Sequence, residues 1–151
     1  MRRRSFLLLV PLLPSVSSVS AAEFGTRDEA VAMVKRVQQS FKSVGADATF
    51  KLVSDKSTPQ FHDRDLYPFI YDMSGTCVAH GARPALIGKN LIGLKDQDGK
   101  FLVRDMIEIA KTKGSGWYDY KWPNPLNNKI EDKVSYVEKM GDFMLGVGVY
   151  R

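Results

Sequence analysis

The sequence predicts a small α+β domain built on a mostly antiparallel sheet of about five strands. Helical periodicity is confined to one long N-terminal segment and one central segment. Strand-like runs rich in aromatic and β-branched residues fill most of the remainder. Short turn signals join those runs in neighbouring pairs. The resulting order is a long helix, two strands, a helical crossover, then three strands, and no internal repeat breaks it.

Residues 1–22 stand outside this plan. Arg2, Arg3 and Arg4 form a positive start, residues 6–13 a short apolar run, and Ser20-Ala21-Ala22 a small-residue cleavage site, the pattern of an export leader. The apolar run falls far short of the ~20 residues a membrane span needs. Arg3-Arg4-Ser5-Phe6-Leu7 resembles the twin-arginine signal, and an ordinary secretory leader fits the same residues. The expected product is residues 23–151, one domain without a membrane span, soluble in the periplasm. Its charge is modest: three of the 22 basic residues belong to the leader, and 17 acidic residues oppose the rest. No dense basic cluster remains to bind nucleic acid.

Thr26-Arg27-Asp28-Glu29 has the spacing of a capping box. Behind it Ala30, Val31, Val34, Val37, Phe41 and Val44 recur at helical intervals until Gly45 stops them. Residues 47–54 suit a short second helix, and the polar stretch 55–64 with Pro59 a loop. Residues 66–73 and 77–79 predict two strands around the turn Ser74-Gly75. Asp96-Gln97-Asp98-Gly99 is a turn, because its Gly comes too early for a calcium loop. Residues 101–113 place Leu102, Val103, Met106, Ile107 and Ala110 on one helical stripe, capped by Gly114. Residues 117–122 predict a strand closed by Pro123. Residues 133–140 and 143–150 predict a hairpin about Gly141-Asp142.

The strand at 117–122 sends Trp117, Asp119 and Lys121 to one face and Tyr118, Tyr120 and Trp122 to the other. Rings on both faces make Trp117, Tyr120 and Trp122 candidates to line a pocket, with core packing as the alternative. Tyr67, Phe69 and Tyr71 share one face of the first strand, where Tyr71 is placed to offer its hydroxyl to a cavity. His80 and Arg83 open the loop after the second strand; a guanidinium fork suits a carboxylate, and an imidazole adds a donor. Lys133 offers a further cation, although an exposed strand lysine is the simpler expectation. Cys77, the lone cysteine, is expected as a small buried residue on the opposite strand face from His80, which argues against a cysteine–histidine nucleophile. With two histidines and one cysteine, neither a zinc site nor a haem attachment motif can be assembled.

The stretch from Leu66 to Pro123 carries a family resemblance. Its Leu66-Tyr67-Pro68-Phe69-Ile70-Tyr71-Asp72-Met73 strand, Cys77-Val78-Ala79-His80, Gly88-Lys89-Asn90 and Gly116-Trp117-Tyr118-Asp119-Tyr120-Lys121-Trp122-Pro123 together resemble a type 2 single Cache domain, the extracytoplasmic sensor module of chemoreceptors and sensor kinases. The family's loop histidine followed by Pro, Leu and Gly-x-Asn is met by His80, Pro84, Leu86, Gly88 and Asn90. Gly81 and Ala82 intervene where the family more usually has Pro directly after the His. Lys133 matches the lysine that precedes the family's Tyr-Val pair, here Tyr136-Val137. The resemblance implies a PAS-like antiparallel sheet with the ligand held between the sheet and its covering loops. It implies a small organic acid or similar polar metabolite as ligand, no cofactor, and a membrane sensor kinase or chemoreceptor as partner. Two alternatives are a small periplasmic enzyme pairing His80 with Asp72 or Asp119, and an interaction subunit that forms a homodimer through the long helix.

Overall fold

The computed structural model describes residues 23–151; the expected leader, 1–22, lies outside them. Helix α1 (Arg27–Val44) starts at the predicted capping box: the Thr26 hydroxyl accepts from the Glu29 amide, and the Glu29 carboxylate accepts from the Thr26 amide. Gly45 ends it, and α2 (Ala46–Ser54) follows at once. A 3-10 turn at Pro59–Phe61 leads to strand β1 (Pro68–Asp72) and β2 (Cys77–His80). After a long loop come α3 (Leu102–Lys113), β3 (Ser115–Pro123), β4 (Ile130–Met140) and β5 (Phe143–Tyr150).

The five strands form one sheet in the order β2-β1-β5-β4-β3, with every neighbouring pair antiparallel. Consecutive strands β2 and β3 therefore sit at opposite edges. The segment between them must cross the whole sheet, and that crossing, with α3, roofs one face. Helices α1 and α2 cover the other.

Each face has its own core. Met33, Val34 and Val37 of α1 bury against Ile70, Leu145 and Val147 on one side. Tyr67, Phe69 and Tyr71 bury beneath Leu102, Val103, Met106 and Ile107 of α3 on the other. The loop keeps its place through Asp96, whose carboxylate accepts from the amides of Asp98, Lys100 and Lys121, and through Asn90, which donates to the Ser74 carbonyl.

Two expectations change here. Pairing runs Ile70 to Ala79 and then Tyr71 to Cys77, so a bulge at Val78 interrupts the alternation of β2. Cys77 and His80 consequently share the α3 side of the sheet, opposite Tyr71 and Phe69, instead of facing apart. Strand β4 also starts earlier than expected, at Ile130, which puts Lys133 inside the sheet.

Gly146 and Gly148 lie on the roofed face of the central strand β5. A Cβ at Gly146 would collide with the Phe69 ring, and one at Gly148 with the Ser135 Oγ and the Lys133 side chain. The two missing side chains create the space in which Phe69, Lys133 and Ser135 lie. Gly146→Ala should therefore destabilise the fold by about 1–3 kcal/mol through overpacking. Urea unfolding checks this, and a change under about 0.5 kcal/mol would mean the strand has slack there.

Candidate functional site

The roofed face gathers one set of polar groups. The imidazole of His80 is 2% exposed. Its Nδ1 accepts two hydrogen bonds from the loop that follows, from the amides of Ala82 at 3.2 Å and Arg83 at 2.9 Å. Two amide donors on Nδ1 require the tautomer with its proton on Nε2. Burial, reinforced by the nearby cations Lys133 and Arg83, holds the imidazole down to about 3, so it stays neutral at ordinary pH. Nε2–H meets no hydrogen-bond acceptor among the described residues. His80 is therefore a fixed neutral donor on the wall of a small hollow, shared with Phe69, Tyr71, Leu102, Met106, Tyr120 and Trp122.

Lys133 is the second polar group, and it is buried where an exposed side chain was the simpler expectation. It is 1% exposed, and its Nζ lies 4.1 Å from the centroid of Tyr67, 4.9 Å from Tyr150, 5.5 Å from Phe69 and 5.9 Å from Tyr120. Among the described residues it makes no ion pair. Its hydrogen-bond acceptor is the Tyr67 hydroxyl at 2.8 Å. Each hydroxyl has one proton, and that of Tyr150 goes to the Pro123 carbonyl at 2.7 Å. The Tyr67–Tyr150 contact of 3.0 Å is therefore donated by Tyr67. A one-way chain results, from Lys133 through Tyr67 and Tyr150 to Pro123. Burial lowers the ammonium to about 7; the Asp65 carboxylate, whose oxygens accept from the amides of Gly25 and Tyr150, opposes this only in part.

Tyr67 and Phe69 join the two polar groups. The His80 ring sits 5.3 Å from Tyr67 and 6.2 Å from Phe69, and those same rings face the ammonium. Tyr120 donates to or accepts from Ser135 at 3.0 Å. Trp122 stands 6.4 Å from both Tyr120 and His80, half-buried at the rim. Arg83, exposed on the loop, lies 5.9 Å over the Trp122 ring. The Tyr71 ring lines the hollow, but its hydroxyl turns to the Cys77 thiol instead of being free for a ligand. Burial pushes that thiol up to about 11, which leaves it protonated and unreactive.

Of the predicted residues, Tyr71, His80, Tyr120 and Trp122 meet around one hollow, with Lys133 behind its Phe69 and Tyr120 rings and Arg83 at its rim. Trp117 does not join them. It packs on the α1 side of the sheet, 5.4 Å from Tyr136 and 4.8 Å beneath the Arg27 guanidinium. The hollow is also smaller than expected: its free volume is about 10 Å³, room for one water. Sequence reasoning passed over Tyr150, Ser135 and Met106. A usable signal was present in Ser135 opposite Gly148, with Lys133 two residues before it reaching the space the glycine leaves.

The catalytic pairing of His80 with Asp72 or Asp119 finds no support in this geometry. The Asp72 carboxylate ties its own hairpin by accepting from Ser74 and Thr76, and Asp119 pairs with Arg151.

Comparison with known proteins gives the class. The Cache domain family, in its dCache_2 form, matches residues 27–151, and the chain belongs to that family. The sensor histidine kinase MctS of Rhizobium johnstonii is 31% identical over 118 residues, 76% of this chain and 25% of that protein. The chain thus spans about a quarter of that kinase's length. A methyl-accepting chemotaxis protein from Vibrio parahaemolyticus has a TM-score of 0.72 at 25% identity, covering 82% of this chain and 87% of that one. A Cache chemosensory domain described for carboxylic acid recognition has a TM-score of 0.68 at 25% identity, covering 82% and 91%. The PAS-like α+β fold and its kinship with chemoreceptor and kinase sensor domains follow.

Lys133 gives the site a measurable cost. Its ammonium titrates near 7 when folded against 10.5 ordinarily, so the unfolded chain binds more protons between those values. The contribution of Lys133 to stability should rise with pH across that window. Lys133→Met should abolish this slope and stabilise the domain at pH 7 by about 1–4 kcal/mol, as replacing buried charge often does. Urea unfolding at pH 7 and 9.5 reads both effects; a Met variant less stable than the parent at pH 7 would contradict the account.

Proposed function

We propose that this chain is the ligand-binding input of an extracytoplasmic signalling system, and that it recognises a small carboxylate. The observation that carries this reading is Lys133, a buried cation without an ionic partner among the described residues, set beside the neutral donor His80. Such a pair lacks an anion. An incoming carboxylate would accept from His80 Nε2–H and, once the Phe69 and Tyr120 rings yield, from Lys133, with its carbon chain against Leu102 and Met106. Arg83 and Trp122 would close over it as a lid. The small free volume favours the smallest acids and requires Trp122 and the loop of Arg83 to yield on entry.

Residues 1–22 direct export to the periplasm in this reading, residues 23–151 form the sensor domain, and a membrane sensor kinase or chemoreceptor receives the signal. Kinship with such receptors and the solved periplasmic sensor domain of a chemotaxis protein support this placement. Among the described residues no helix is long and apolar enough to cross a membrane. Binding without turnover is favoured because Nδ1 of His80 is already occupied and the Cys77 thiol is protonated. Dimerisation through α1 is the weaker reading, since Ala30, Met33, Val34 and Val37 are spent against its own sheet.

A thermal-shift screen against C2–C4 carboxylates tests the proposal. A true ligand at 100 times its Kd should add about 2.7 kcal/mol of stability. Arg83→Ala should weaken binding, and Trp117→Phe should leave it unchanged. Because the Lys133 charge is lost as pH rises through about 7, affinity should fall between pH 6 and 9. A shift from no acid, or equal affinity at both ends of that range, would refute the reading.

A further inference from the structure

We infer that His62 is the positioning residue of the ligand loop, and that its protonation sets how firmly the loop holds His80. The imidazole of His62 bridges two segments distant from each other. Nδ1 lies 2.9 Å from the Thr58 carbonyl and Nε2 lies 3.1 Å from the Gly81 carbonyl. A carbonyl can only accept, so both contacts are hydrogen bonds only when both ring nitrogens carry protons. The neutral ring has one N–H and must forfeit one of them. The Thr58 contact is local, four residues back, and the Gly81 contact spans 19 residues; we assign the released bond to Gly81, and the exchange experiment below tests that assignment.

Gly81 is the hinge of the loop that matters. It follows His80 directly, and the next two amides, of Ala82 and Arg83, are those that grip His80 Nδ1. On its other side the Gly81 amide donates to the Pro68 carbonyl at 2.9 Å. A Cβ at Gly81 would stand 2.8 Å from the Tyr67 Cβ and 3.0 Å from His62 Nε2. A glycine at this position therefore lets the loop press against His62. When the imidazolium holds Gly81, the loop fixes the His80 tautomer and its donor; when it lets go, the loop loosens.

Other charged groups surround His62. Asp55 acts on it electrostatically from the end of α2. Lys56, Arg64 and the Tyr67 phenol share its groove. Asp63 is its chain neighbour and pairs with Arg64, which also pairs with Glu29. None of these accepts from the His62 ring, whose two bonds both go to carbonyls.

The consequence for ligand affinity rests on the reading of His80 as a ligand donor, but the test uses the ligand-free chain and stands or falls separately. Long-range 1H–15N NMR of the labelled chain should show His62 protonated on both nitrogens at pH 5.5. Protection of the Ala82 and Arg83 amides, corrected for intrinsic exchange, should fall about tenfold between pH 5.5 and 8. His62→Gln, which can donate to Gly81 without titrating, should keep protection and lose its pH dependence. His62→Ala should show low protection at both values. A single N–H on His62 at pH 5.5, unchanged protection across the range in the parent chain, or an equal fall in His62→Gln would overturn the inference.

Discussion

The burial of one cation organises this molecule. Lys133 points into the interior from the middle of β4, and water is replaced there by four aromatic rings and one hydroxyl. Ring faces attract a cation, but each contributes only about 0.5–2 kcal/mol. Several rings together offset part of the desolvation cost and leave the ammonium poised near neutrality. The surroundings follow from that constraint. Gly148 clears its path, Gly146 makes room for the Phe69 ring beside it, Tyr67 accepts from it, Tyr150 accepts in turn from Tyr67, and the α3 roof keeps water away. A fold that needed only stability would place an apolar side chain here.

His80 is built for the complementary role. Its loop supplies two amides to one nitrogen, which selects the tautomer and makes the other nitrogen a donor while the loop grips the ring. A neutral donor and a partly charged ammonium, both flanking the same pair of rings, make sense together when an anion completes them. The same arrangement keeps the basic nitrogen of the ring occupied, so His80 cannot take up a proton there without giving up the loop amides.

Much of the architecture was legible from local signals. Thr26 and Glu29 announced the start of α1, Gly45 its end, Gly114 the end of α3 and Gly141-Asp142 the last hairpin; each acts within a few residues of itself. What stayed hidden depends on pairing across the sheet. The bulge at Val78 is visible only in the register of β2 against β1, and it reverses the expected relation of Cys77 to His80. The burial of Lys133 depends on the missing side chain at Gly148 of β5 and on Tyr67, 66 residues away in the chain. Trp117 was assigned by ring type, whereas strand alternation had already placed it on the face away from Tyr120 and Trp122. The convergence of Tyr71, His80, Tyr120 and Trp122 came from the family resemblance more than from spacing, and the tightness of the hollow came from neither.

The claim at the centre is that the ligand's charge is met by Lys133. Calorimetric titration of a bound short-chain carboxylate at pH 7, repeated in buffers of different ionisation enthalpy, counts the protons that accompany binding. If the anion fixes the ammonium in its charged form, binding should take up about half a proton at pH 7 and none in Lys133→Met, should that variant retain measurable affinity. Binding with no proton uptake in the parent chain, or with the same uptake in the variant, would contradict it.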